Sequence, residues 1–222
     1  MSRRIRTGLV ALAGVCSLAL PACGWRELEA QLTQPVPPAL PESQIEWKRS
    51  AAVGSPSAGR LARGVRLPAE GEHFFTWDPV KRRSPNRAWR RWGTDVLLRR
   101  VLRIAREYGE AHPYAPRMAI GDLSRPRGGN FGPQFGYIGH ASHQNGLDVD
   151  IYYPRADGRE RAPQYASEID RVLSQDLVDR FVEAGAVDVF VGPNTRLTGP
   201  PGVVTPLVNH DNHLHVRIAP GR

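Results

Sequence analysis

Cysteine is nearly missing from this chain: Cys16 and Cys23 are the only two, and both lie close to the N-terminus. The body of the protein therefore holds no disulfide, and it has no thiol nucleophile beyond Cys23. Ser-x-x-Lys does not occur either, which removes the acyl-serine chemistry built on that motif. His-Glu-x-x-His is absent, so no zincin-type glutamate base is available. No internal repeat is visible, and no apolar run is long enough to span a bilayer as a stable helix. A net charge of +8 suits anionic surroundings. The arginines are scattered, however, with no basic stripe interleaved with aromatics, so nucleic acid is not the expected partner.

Acidic residues are also missing from positions 1–22, where Arg3, Arg4 and Arg6 supply three of the positive charges. A basic start followed by the short apolar run from Leu9 to Leu20 has the form of an export signal. Leu20-Pro21-Ala22-Cys23 resembles a bacterial lipobox, in which the cysteine is acylated and becomes the first mature residue. The expected organisation is a lipoprotein-type signal peptide over 1–22, an anchor cysteine and proline-rich tether over 23–60, and a catalytic domain over 61–222. The membrane is then reached only through a lipid on Cys23. The expected location is the periplasm, on the outer membrane; cleavage near Ala22 to a soluble secreted form is the alternative. Gln34 to Pro41 reads as extended and partly polyproline-like. Ala51 to Gly59 reads as small and flexible.

Glycine and proline, 22 and 20 residues, predict many loops and short strands. Thr94 to Ala111 has an apolar face at helical spacing in Leu97, Val101, Ile104, Ala105 and Tyr108, closed by His112-Pro113. A second helix is predicted from Ser174, as N-cap, to Ala184, with Gly185 following it in the left-handed position. Strands are predicted over Arg117–Asp122, Leu147–Tyr153, Val187–Val191 and Asn212–Ile218, with a loop from Leu123 to Pro133. The predicted class is α+β: a small antiparallel sheet carrying the functional site, flanked by helices and long loops.

Histidine is concentrated in two places. His210, His213 and His215 lie in the last thirteen residues, and His140 and His143 precede Asp148 and Asp150. On a strand alternate side chains share a face, so His213 pairs with His215 and Asp148 with Asp150. If those strands are neighbours, His143, Asp150 and one histidine of the final pair surround a single ion. Two imidazoles and a carboxylate suit Zn2+, with one position left open for water. An exposed strand face is the competing reading of His213-Leu-His215 alone.

Ser142-His-x-x-Gly-x-x-x-Asp150 followed by a C-terminal His-x-His resembles the zinc peptidases that include lysostaphin, the D-Ala-D-Ala metallopeptidases and hedgehog domains. Gly121-Asp-Leu-Ser-Arg-Pro-Arg-Gly-Gly129, Gly139-His-Ala-Ser-His-Gln-x-Gly-Leu-Asp-Val-Asp150 and Asn212-His-Leu-His-Val-Arg217 are similar to the penicillin-insensitive murein endopeptidases in particular. The resemblance implies zinc on His143, Asp150 and His215, and His213 as the catalytic histidine beside it. It implies a further active-site role for His210 and an additional metal position at His140. The division of roles between His210 and His213 stays open. Asp122, Ser124, Arg127 and Gln144 are candidates to line the substrate cleft, with ordinary turn roles as the alternative. Asp148 is read as a supporting carboxylate. Trp77, Trp89 and Trp92 are read as packing residues before glycan-binding ones, and His112 as a helix-end histidine.

The implied activity is zinc-dependent hydrolysis of the D-alanyl-diaminopimelate cross-links between peptidoglycan stem peptides. The alternatives are a D,D-carboxypeptidase or dipeptidase on stem-peptide ends, and a non-catalytic zinc-containing peptidoglycan-binding module. Oligomeric state is left open.

Overall fold

A computed structural model describes residues 44–132 and 141–221. The chain divides between Pro37 and Pro38, and every described residue falls in the second unit.

The described residues form ten strands and two long helices. The first are β1 (Ala51–Ser55), β2 (Ala58–Ala62), β3 (Val65–Arg66), β4 (Phe74–Thr76) and β5 (Trp92–Gly93). Helix α1 (Asp95–Ala111) precedes β6 (Met118–Ile120) and β7 (Asp148–Tyr152). Helix α2 (Arg171–Glu183) precedes β8 (Ala186–Val191), β9 (Val204–Pro206) and β10 (His213–Ile218).

The main sheet has six strands in the order β4-β6-β7-β10-β8-β9. Its four inner strands pair antiparallel, as expected. Its two outer pairs, β4 with β6 and β8 with β9, are parallel. The sheet is therefore mixed and wider than predicted, because two edge strands of three residues each are too short to show a period.

Strand alternation divides the sheet into two faces. Phe74, Met118, Ile120, Val149, Ile151, Leu214, Val216, Val189 and Val191 point to one face and join the main core. Leu97, Leu98, Val101, Ile104, Ala105 and Tyr108 of α1 and Leu177, Val178 and Phe181 of α2 cover it. The opposite face carries Asp148, Asp150 and Tyr152 on β7 and His213, His215 and Arg217 on β10. There Asp150 stands opposite His215, and Tyr152 opposite His213.

Helix α1 begins where predicted: the Thr94 hydroxyl accepts from the Leu97 amide at 3.2 Å. Helix α2 begins earlier than predicted. Asp170, not Ser174, is its N-cap, and its carboxylate accepts from the Val172 and Leu173 amides at 3.0 and 3.1 Å. A carboxylate also gains from the helix dipole at that end. Ser174 lies inside the helix and its hydroxyl donates to the Asp170 carbonyl at 2.5 Å. Gly185 has φ +76°, the left-handed residue expected after the helix.

Folded structure begins ahead of residue 61. Part of the stretch expected to be tether is folded: β1 and β2 form a hairpin with Ala51 opposite Ala62. Ile45 is buried in the main core. The Ser50 hydroxyl and the Asp95 carboxylate are 2.6 Å apart, and the Asp95 amide donates to Ser50 Oγ at 2.7 Å. This segment has no amphipathic period because its anchors are single contacts to distant residues. Residues 23–43, with Cys23, lie outside the described residues.

Candidate metal centre

Three donor atoms converge on the polar face of the sheet. His143 Nε2 lies 3.2 Å from His215 Nδ1 and 3.3 Å from Asp150 Oδ1. His215 Nδ1 lies 3.1 Å from the same oxygen. All three side chains are buried. In a tetrahedral zinc site with bonds of about 2.0–2.1 Å, neighbouring donors lie roughly 3.3 Å apart. The donor set and its spacing therefore fit zinc.

Each donor is placed by its element. Asp150 and His215 face each other because β7 and β10 pair in that register. His143 reaches them from the preceding loop with φ +67°, a left-handed conformation uncommon for a residue with a side chain. Its amide donates to Asp148 Oδ2 at 2.9 Å, which holds the loop against β7. Gly128 and Gly146 also have positive φ. A side chain on Gly128 would run into the Gln144 carbonyl, so glycine is required for the two loops to meet.

Asp148 was read from sequence as a supporting carboxylate, and it lies against His143, His215 and Arg217. It is fully buried; its Oδ1 lies 3.4 Å from His215 Nε2 and accepts from Arg217 Nε at 2.7 Å. Arg217 also bridges to Asp188 at 2.9 Å. Burial opposes ionisation of Asp148, but hydrogen bonding from His215 and the charges of His143, His215 and Arg217 hold its carboxyl well below the usual range. Burial alone would lower the pKa of His215. Hydrogen bonds to Asp148 and Asp150, with their charges, outweigh burial and push it up to about 9. The site favours a positive charge at its centre, and a cation must displace a proton to enter.

His213 sits at the rim. Its Nδ1 is 2.7 Å from the Asn212 side-chain oxygen, which assigns the proton to Nδ1 and leaves the lone pair on Nε2. Nε2 lies 3.8 Å from Asp150 Oδ1. His210 packs against His213 with ring centroids 4.8 Å apart, and its Nδ1 donates to the Val208 carbonyl at 2.8 Å. Both histidines therefore stand beside the donor set. His140 lies outside the described residues.

The expected cleft residues separate. Asp122 is buried, ion-paired with Arg90 and hydrogen-bonded by Asn86 Nδ2 at 2.9 Å. Its carbonyl accepts from the Asp150 amide at 2.9 Å, so it supports a ligand strand. Ser124 is fully buried in a bridge to Trp92, which removes it from a substrate surface. Gln144 accepts from the Gly59 amide at 3.4 Å and its own amide donates to the Pro56 carbonyl at 2.9 Å, tying the β1–β2 hairpin to the His143 loop. Arg127 is exposed. Trp89 packs beside Phe131, with centroids 6.2 Å apart, and Phe131 meets the His143 ring edge-on at 6.4 Å.

Sequence reasoning missed Asn212, Tyr152 and Arg217. The signal was available: Asn212 precedes His213, Tyr152 is two residues past Asp150 and Arg217 two past His215, which puts the last two on the site's face.

A buried His-Asp-His set on a sheet, with two more histidines at its rim, forms a candidate metal centre. The sequence matches the penicillin-insensitive murein endopeptidase family over residues 52–188. That match holds His143 and Asp150 and ends before the C-terminal histidines. Three Escherichia coli proteins named penicillin-insensitive murein endopeptidase, from strains O1:K1 / APEC, SMS-3-5 and O45:K1 S88, are each 31% identical to it over 244 residues. Each alignment covers 96% of this chain and 77% of the relative. The chain belongs to the penicillin-insensitive murein endopeptidase family.

Proposed function

We propose that this protein is a zinc-dependent murein endopeptidase that hydrolyses the D-alanyl-diaminopimelate cross-links of peptidoglycan. The observation that carries this reading is the convergence of His143, Asp150 and His215, with His213 Nε2 directed to their rim. Zinc held there supplies a Lewis acid and acidifies water toward neutrality. The remaining work falls to this chain's own residues. Asp148 faces His215 and fixes its ring, as an outer carboxylate does for a ligating histidine. Asn212 holds the proton of His213 on Nδ1, so Nε2 accepts a proton from the attacking water and passes it to the leaving amine. His210, when protonated, stabilises negative charge developing on the scissile carbonyl oxygen.

Acylation of Cys23 would tether the enzyme to the outer membrane from its periplasmic side. Among the described residues no helix is long and apolar enough to cross a membrane. Purified cross-linked muropeptide dimers, incubated with zinc-loaded protein, should become monomers in the presence of a β-lactam. Release of terminal amino acid from intact dimers would establish the carboxypeptidase alternative. Dimer binding without any product would establish the binding module.

A further inference from the structure

A cavity of about 520 Å³ opens beside the metal centre. Tyr152 and Asn212 are among the residues that line it. Both touch His213: the Tyr152 ring lies 5.7 Å from the His213 ring, and Asn212 holds its Nδ1. The cavity thus shares two residues with the surroundings of the histidine assigned to proton transfer.

Its walls carry Arg82, Arg155 and Arg161, and among the described residues no carboxylate lines it. Arg155 is already committed. It grips Asp157 with two hydrogen bonds of 2.8 and 2.7 Å and Glu168 at 3.0 Å, and it is buried. Arg82 and Arg161 are exposed and form no ion pair with any described residue.

Both are displayed from braced loops. Arg82 has φ +50° in a tight turn closed by Asp78, whose carboxylate accepts from the Val80 and Lys81 amides at 2.8 and 3.0 Å. Arg87 in turn holds Asp78 at 2.7 Å. In the segment that carries Arg161, Glu160 is locked to Arg117 by two bonds of 2.7 Å. Glu168 accepts from the Gln164 amide at 2.6 Å just after Arg161. Ala162, between these braces, packs with Phe75, Ala119 and Tyr152.

Two uncommitted guanidinium groups on ordered walls, next to a reaction centre, form a receptor for a carboxylate, which arginine binds through paired hydrogen bonds. We infer that this cavity is a subsite for a free carboxylate of the substrate peptide, bound by Arg82 and Arg161. Trp77 and Tyr152 supply apolar walls for the chain that carries the carboxylate.

The inference rests on the peptidase reading, and the test separates the two. Two synthetic cross-linked dimers are compared, identical except that one has its free carboxylates beside the cross-link converted to amides. The zinc-loaded protein should prefer the acidic dimer by about tenfold or more in kcat/KM, the scale of one charged hydrogen bond. The preference should lie in KM and collapse toward one in the Arg82→Gln/Arg161→Gln double variant. Zinc content and melting temperature of the variant are checked against the parent. Binding of both dimers to zinc-loaded His213→Ala, by calorimetry, reads the same preference without turnover. Equal affinity for the two dimers, or a preference that survives the double variant, overturns the subsite. A preference in binding with no cleavage by the parent protein upholds the subsite and overturns the peptidase reading instead.

Discussion

Among single residues, His215 and His213 lie two positions apart on one strand face, and the proposed function divides them into ligand and proton carrier. His215→Ala should lose zinc and turnover together, since its Nδ1 is one of three converging donors. His213→Ala should keep about one zinc per chain and lose ~10²–10⁴-fold in kcat, the usual contribution of an acid–base group. Metal analysis beside initial rates separates them; zinc lost from His213→Ala would make it a ligand. The same residues set a pH dependence. Without metal, the pKa of His215 rises from 6.5 to about 9, so its contribution to stability is complete below 6.5 and is lost as pH climbs toward 9. Asp148 is shifted the other way, so its contribution is present above 3.8 and is lost as pH falls below it. Chelator-treated protein should therefore melt highest in mildly acidic buffer and progressively lower toward pH 9. Zinc-loaded protein should gain relative to it as pH rises, because ligand histidines must be neutral. A flat difference in melting temperature between the two forms from pH 6 to 9 would contradict this. The clustering of His143, Asp150 and His215 was legible in sequence, because a histidine ahead of one strand and a carboxylate and an imidazole on two strands can meet once those strands pair. The burial of Asp122 and Ser124 was not, because their partners Arg90, Asn86 and Trp92 come from a distant segment.

Elements repeat that contrast. Helix α1 and strands β7 and β10 were readable because each carries its own period, of about 3.6 or 2. The β1–β2 hairpin, β4 and β9 were not: they are short and held by neighbours far away in sequence. The N-terminus of α2 was misplaced because Asp170 and Ser174 are both good capping residues, and the carboxylate satisfies two amides. The junction of hairpin and His143 loop is where an element-scale change should reach the site. Gly128→Ala must hold φ +66° and place a methyl group against the Gln144 carbonyl. It should cost about 1 kcal/mol or more, read as a lower denaturation midpoint. It should also weaken zinc retention, because Gln144 directly follows His143. A variant as stable and as zinc-retentive as the parent would show that the junction does not position the ligand.

At the scale of the whole molecule, one sheet separates two tasks: its apolar face is sealed by two helices, and its polar face holds the histidines. The folded unit includes the stretch from Ile45 onward, so a chain starting at Gln44 should melt cooperatively and bind zinc. A chain starting at Leu61 should be substantially less stable, having lost Ile45, the hairpin and the Ser50–Asp95 tie; equal melting temperatures would restore the boundary at residue 61. The central claim is that one zinc, held by His143, Asp150 and His215, enables this chain to open murein cross-links. Its most direct test is to strip the purified protein with a chelator and titrate zinc back while following conversion of cross-linked muropeptide dimers to monomers. The account predicts no conversion by the stripped protein and a linear return of activity that levels off at one zinc per chain, unaffected by a β-lactam. Conversion that persists through chelation, or a full zinc site that leaves every dimer intact, would contradict it.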